Sequence, residues 1–288
     1  SDGDGEGVYM RILNADGSEK LTETRINQTT SSQQTDPRVA VSSSGHFVVA
    51  WTSNQSGDMN LYTRLYDSDG LALTDEILVN SSYTTGEQLN AEVAIDGSNN
   101  FVVTWQGVDS GDDKGIWAKR FDSSGSTLVD TFLVNDSVTA SVQEDPAIAM
   151  NDDGDFVITW TDFSDGLTRI AAQQFTAAGA GQGEFVVHAT IGQGELLSSV
   201  GIDSDGNFVV AWGESNSDSD GDGVMMQRFD ANGNRLEADD VIVNTHILSI
   251  QTDPAVTMRS DGVFLISWSS IDQDGDSYGV ILQQFNAD

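Results

Sequence analysis

One tryptophan recurs five times inside a short apolar pattern: Phe, then Val or Leu, then Val or Ile, any residue, and Trp. The copies run from Phe47 to Trp51, Phe101 to Trp105, Phe156 to Trp160, Phe208 to Trp212 and Phe264 to Trp268. The tryptophans stand 54, 55, 52 and 56 residues apart. Self-similarity at such a period limits a chain to stacked or radially repeated units, because each unit buries its apolar face only against a neighbour. Upstream of each copy lies a second apolar run: Val39–Val41, Val93–Ile95, Ile148–Met150, Val200–Ile202 and Val256–Met258. A turn of Gly, Asp, Asn or Ser joins the two runs, as in Asp203-Ser204-Asp205-Gly206-Asn207. Two apolar runs joined in this way form a β-hairpin.

A second hairpin follows. Its first strand reads like Ile116-Trp117-Ala118-Lys119-Arg120-Phe121, with equivalents beginning at Val8, Leu61, Ile170, Val224 and Val280. A turn ending in Gly17, Gly70, Gly125, Gly179 or Gly233 leads to a short strand that closes on Ile26-Asn27, Val79-Asn80, Val134-Asn135, Val187-His188 or Val243-Asn244. Each unit therefore holds four short strands, A to D. No helical period is sustained, only 3 prolines occur, and Val, Ile, Phe and Thr fill the periodic stretches, as strands require. Four antiparallel strands per radial repeat predict an all-β fold, the β-propeller. A solenoid is the competing architecture, but its repeats are usually shorter and rarely carry two successive hairpins.

The combined pattern P-x-V-A…D-G-x-F-V-V-x-W…D-G-D-G…Q-R-F-D…V-N resembles secreted bacterial propeller repeats of large calcium-dependent cell-surface proteins. The likeness covers nearly the whole chain. It implies the fold and leaves function open, since propellers host many activities.

Strand C is expected six times, and A, B and D five times each. Val8 and Val280 lie 272 residues apart, or five repeat periods. Five blades with one surplus C-type strand are expected, with six as the alternative. The domain reads as one propeller over residues 1–288, with units at 36–89, 90–144, 145–197, 198–252 and 253–288, the last closed by 1–35. The surplus strand suggests exchange with a neighbouring copy. The chain reads as a mature product or a piece of a longer protein.

Composition narrows the setting. Lys and Arg number 12 against 46 Asp and Glu, so the net charge is 12 − 46 = −34. Lysine stands only at 20, 114 and 119. Such a surface repels nucleic-acid phosphates and anionic lipid. No apolar run reaches the roughly 18 residues of a membrane-spanning helix. With no cysteine, disulfides and thiolate metal sites are excluded. Salt or divalent cations would screen the charge, so an extracellular or cell-surface location is expected, in a bacterium or archaeon of saline habitat.

The best chemical signal lies between strands B and C. Asp218, Asp220 and Asp222 alternate with Ser and Gly, Asp272, Asp274 and Asp276 nearly repeat the spacing, and Asp2, Asp4 and Glu6 form the same loop near the N-terminus. Carboxylates at every second position converge on one hard cation, and calcium takes about six to eight oxygens. Calcium is therefore the expected, structural cofactor. No distal Glu completes an EF-hand. The loop at Asp109, Asp112 and Asp113 is weaker, and those near Asp58 and Asp162 weaker still. Asp16, Asp69, Asp96, Asp153, Asp205 and Asp261 read as turn residues. The five strand-B tryptophans read as core. Trp117 and Tyr62, which share a position in strand C, are modest candidates for ligand contact if exposed.

Catalytic motifs are absent. His46, His188 and His246 stand alone, and neither a metalloprotease motif nor a nucleophile elbow occurs. The third unit is the most divergent, with Thr176-Ala177-Ala178-Gly179 replacing the Asp-led turn. The expectation is a non-catalytic extracellular structural or adhesive module, calcium-stabilised, whose partner is a second copy joined by strand donation into a homopolymer. The alternative is a carbohydrate-binding lectin or a glycoside hydrolase, with cell-surface glycans as partners. A propeller that binds a basic protein is the third.

Overall fold

A computed structural model describes residues 5–109, 112–137, 141–189, 193–215, 217, 221–273 and 275–287. The fold is an all-β propeller of four-stranded antiparallel sheets, with about five blades and a surplus C-type strand. Contacts divide it into two compact units, 1–133 and 134–288.

The first unit holds a two-stranded sheet, β1 (Tyr9–Leu13) with β2 (Glu19–Arg25), and two complete sheets. One is β3 (Gln34–Val41), β4 (Phe47–Ser56), β5 (Asp58–Tyr66) and β6 (Ile77–Leu78). The other is β7 (Gln88–Ile95), β8 (Phe101–Asp109), β9 (Asp112–Phe121) and β10 (Thr127–Leu133). The second unit holds β11 (Gln143–Met150), β12 (Phe156–Asp162), β13 (Arg169–Phe175) and β14 (Gly181–Val186). It continues with β15 (Gln193–Ile202), β16 (Phe208–Ser215), β17 (Gly223–Phe229) and β18 (Val241–Ile242). A three-stranded sheet follows: β19 (Gln251–Met258), β20 (Phe264–Ile271) and β21 (Tyr278–Phe285). Strand C thus occurs six times among the described residues, as β1, β5, β9, β13, β17 and β21.

Strand B opens with a continuous buried run in β4, β8, β12 and β16, as a strand covered on both faces does, whereas in β20 buried and half-buried residues alternate. All seven residues of β12 are buried. Its first Phe pairs with the Phe or Tyr that ends strand C, and the rings stack once per sheet. Their centroids are 5.0 Å apart for Phe47–Tyr66, 4.9 Å for Phe101–Phe121, 4.7 Å for Phe156–Phe175 and Phe208–Phe229, and 4.9 Å for Phe264–Phe285. Such pairs add about 0.5–1.5 kcal/mol each beyond the area they bury. The five repeat tryptophans are buried as expected.

The Asn that closes strand D is a clamp. Asn27 Oδ1 accepts from Val8 N, Asn80 Oδ1 from Leu61 N and Asn244 Oδ1 from Val224 N, at 2.8–2.9 Å. The amide nitrogens of Asn27, Asn135 and Asn244 donate to the Gln that opens the next strand A, at 34, 143 and 251. A buried amide satisfied on both ends fixes the path between sheets. Early in strand A the register slips by a bulge in each sheet. The bulge holds a left-handed residue: Asp36, Asn90, Asp145, Leu197 or Asp253, with φ of 51–54°. Asp and Asn tolerate that conformation better than other side chains.

Candidate active site

In the four complete sheets a latch joins strand D, or the residue just before it, to the clamp before it. Glu76 accepts from Thr29 N at 3.1 Å and also from Gln28 N. Asp130 accepts from Ser82 Oγ at 3.4 Å, Glu184 from Ser137 N at 2.6 Å and Asp240 from Ala189 N at 2.8 Å. Each acid therefore caps the first residues after Asn27, Asn80, Asn135 or His188. This is scaffold, repeated from sheet to sheet.

One latch has acquired other carboxylates. Beside Glu184 stands Asp136, next to the clamp Asn135, in a place where the other units carry Gln28, Ser81, Ala189 and Thr245. Asp162 is the third acid. It ends β12 two residues beyond Trp160, and only 5% of its surface is exposed. Its Oδ1 accepts from Gln143 Nε2 at 3.2 Å and Ser164 N at 3.0 Å, and its Oδ2 accepts from Ser164 Oγ at 2.6 Å. Ser164 opens a short 3-10 turn, Ser164–Gly166, between β12 and β13.

These neighbours set the chemistry of Glu184. Burial pushes its carboxyl above the usual range, and the charges of Asp136 and Asp162 push it the same way. Hydrogen bonding with the Asp136 side chain adds to the rise. The bond from Ser137 N opposes the shift without cancelling it. A carboxyl raised above its ordinary range beside other acidic side chains is the arrangement from which acid–base pairs are made. Glu92 on β7 is also raised by burial, but its partner is the Arg38 guanidinium at 2.6 Å, and that pairing is structural.

The expected metal loops fare differently. Asp2, Asp4, Asp218, Asp220 and Asp274 lie outside the described residues. Glu6, Asp272 and Asp276 are exposed, and Asp222 is half-buried. Asp272 and Asp276 share one turn, closed by Asp272 N donating to Ser277 O at 2.7 Å. The backbone carbonyls of Glu6 and Asp222 are taken by Gln34 N and Gln251 N. Among the described residues no three acidic or histidine side chains form a group that could hold a metal ion.

Trp117 and Tyr62 are corrected as ligand contacts: they are 7% and 6% exposed. Trp117 packs on Tyr83 at 5.0 Å, and Tyr62 stacks on Trp51 at 6.2 Å. The residues that set the surroundings of Glu184 were visible in sequence only as departures from the repeat. Asp136 and Asp162 stand where most units carry small or neutral side chains, and neither makes a motif alone.

No family model matches the sequence, and no curated protein matches it. Solved structures do. The α-L-arabinofuranosidase of Fusarium graminearum in complex with an iminosugar inhibitor has a TM-score of 0.58 at 8% identity, covering 96% of this chain and 84% of that one. The same organism's α-L-arabinofuranosidase with arabinobiose gives 0.57 at 10% identity, covering 86% and 80%. A Hadza microbial sialidase gives 0.55 at 11% identity, covering 87% of this chain and 56% of that one. The chain shares the fold of glycoside hydrolase propellers. On that finding two expectations are withdrawn, the non-catalytic structural or adhesive module and the absence of enzymatic activity.

Proposed function

We propose that this chain is a glycoside hydrolase in which Glu184 is the general acid and Asp162 the facing carboxylate. The observation that carries this is the raised carboxyl of Glu184 beside Asp136 and Asp162. Glycoside hydrolysis needs one protonated and one ionised carboxyl group. Glu184 gives its proton to the glycosidic oxygen as the bond to the anomeric carbon breaks. Asp162, fixed by Gln143 and Ser164, meets the positive charge that develops there. Water supplies the new hydroxyl, and its proton restores the acid. Arabinofuranosides and sialosides are the first substrates to try, because the propellers of like fold act on them.

Release of p-nitrophenol from a panel of aryl glycosides tests the proposal. The wild type should turn over at least one member, and Glu184→Gln should slow it about a hundred- to ten-thousand-fold. No turnover across the panel, or full activity in Glu184→Gln, overturns the assignment.

The net charge, the alternating aspartates and the likeness to calcium-dependent surface repeats support an extracellular setting with calcium as a structural ion. Melting temperature should then rise with calcium and fall with chelator. An unchanged value removes calcium from the account.

A further inference from the structure

One apolar face of strand A is left uncovered. Val93 and Ile95 on β7 are each 7% exposed, because they share a core cluster with Val48 and Ala50 of β4 and with Leu61 and Leu65 of β5. Their counterparts on β3, Val39 and Val41, are 62% and 63% exposed. Together with every residue of β1, from Tyr9 to Leu13, they line a groove of about 500 Å³.

β1 shows what the groove would accept. In a complete sheet strand C lies between strands B and D, as β5 lies between β4 and β6. Among the described residues β1 pairs with β2 alone, although its clamp is formed, with Asn27 Oδ1 accepting from Val8 N. Its other edge is open, and an open edge is a template for a further strand. Tyr9 is exposed, whereas its counterparts Tyr62 and Trp117 are buried, and Tyr62 stacks on the strand-B residue Trp51. A strand B set along this edge would cover Val39 and Val41 as β4 covers Val93 and Ile95. The last sheet has the converse gap. Among the described residues β21 pairs with β20 and with no strand D, and its Tyr278, Val280 and Leu282 are exposed.

We propose that β19 and β20 of a second copy fill this groove, with β1 displacing β21 from β20. The exchanged sheet runs β19-β20-β1-β2, the order of every complete sheet, and β20 gains a strand C that carries its own strand D and clamp. One chain leaves both halves of this interface uncovered at once, so its own hairpin does not fill the groove. In the register of β4 on β5, Trp268 meets Tyr9 and Ser267 meets Met10, as Trp51 meets Tyr62 and Ala50 meets Thr63. The exchange gives up the Phe264–Phe285 stack, since Leu13 stands where β21 carries Phe285.

The chain has no cysteine, so an introduced disulfide can report the pairing. Met10→Cys combined with Ser267→Cys should give covalent dimers and larger species on oxidation, because directly opposed strand residues lie within disulfide reach. In light scattering the wild type should exceed the 30.8 kDa of one chain as concentration rises. Added salt should favour the larger species, since it screens the repulsion between copies of charge −34. Val41→Lys changes an exposed residue of the groove and should weaken association about tenfold or more, because docking would bury an unpaired charge. Val280→Lys, on the strand that leaves, should not weaken it. A wild type that keeps the mass of one chain, a disulfide confined to single chains, or full association in Val41→Lys overturns the exchange. Equal losses in Val41→Lys and Val280→Lys would mean that uncovered faces stack without exchanging strands, which overturns it as well.

Discussion

Asp130 in the second complete sheet and Glu184 in the third hold near-equivalent places on strand D, and both reach the residue two beyond a clamp asparagine. Their surroundings drive them apart. Asp130 accepts from Thr131 N, and Lys119 lies 3.2 Å away, so its carboxyl is held below the usual range. Glu184 is more buried and faces Asp136 and Asp162 where Asp130 has a cation, so its carboxyl is held above it. One scaffold position holds a carboxyl below its usual range in one sheet and above it in the next. The repeat supplies the frame, and the few side chains that break it supply the chemistry.

The sharpest way to break this comparison is kinetic. Asp162→Asn should cost about a hundredfold or more in kcat on any aryl glycoside that the wild type hydrolyses. Asp130→Asn should leave kcat unchanged. Equal losses in the two variants would mean that the latch itself, and not the carboxylate cluster, supports activity. Scaffold changes should treat the two sheets alike. Trp105→Ala and Trp160→Ala each remove a fully buried indole and should each destabilise by about 3–5 kcal/mol in chemical denaturation. A much smaller effect in the third sheet would show that its divergence extends into the core. The clamps come next. Asn80→Ala and Asn135→Ala leave buried groups without partners and should each cost about 1–3 kcal/mol.

The fold was legible because its causes are local and repeated. The Phe that opens strand B, the aromatic residue that closes strand C, the Gly of the C–D turn and the Asn that ends strand D each do one job in nearly every sheet. The tryptophans read as core because their register never varied. The site was not legible in that way. Asp136, Asp162 and Glu184 lie far apart in sequence, and Glu184 reaches the residues after the clamp Asn135 only through its bond from Ser137 N. Glu184 carries no sequence signal of its own, since other units also place an acid at or just before strand D. Exposure misled as well. Trp117 and Tyr62 broke the pattern of strand C, yet each found an aromatic partner that no local pattern announces.

The smallest expected effect is also the one that separates the two acids by sign. Glu184 has a raised pKa in the folded protein, so it contributes stability that is present below its unfolded value and lost as pH rises through the folded one. Glu184→Gln removes that loss while its amide oxygen still accepts from Ser137 N. Its melting temperature should therefore gain on the wild type as pH rises above the ordinary glutamate value, about 4. Asp130 is depressed, so it contributes stability above its unfolded value that disappears as pH falls through the folded one. Asp130→Asn should melt below the wild type near neutrality, by no more than about 1 kcal/mol for so exposed a pair, and the deficit should vanish in acid. Melting curves across the range for the two variants should thus run with opposite slopes. Parallel slopes would mean that Glu184 is ionised like its counterpart, and the third sheet would lose its claim to a general acid even if its carboxylates stand where the structure places them.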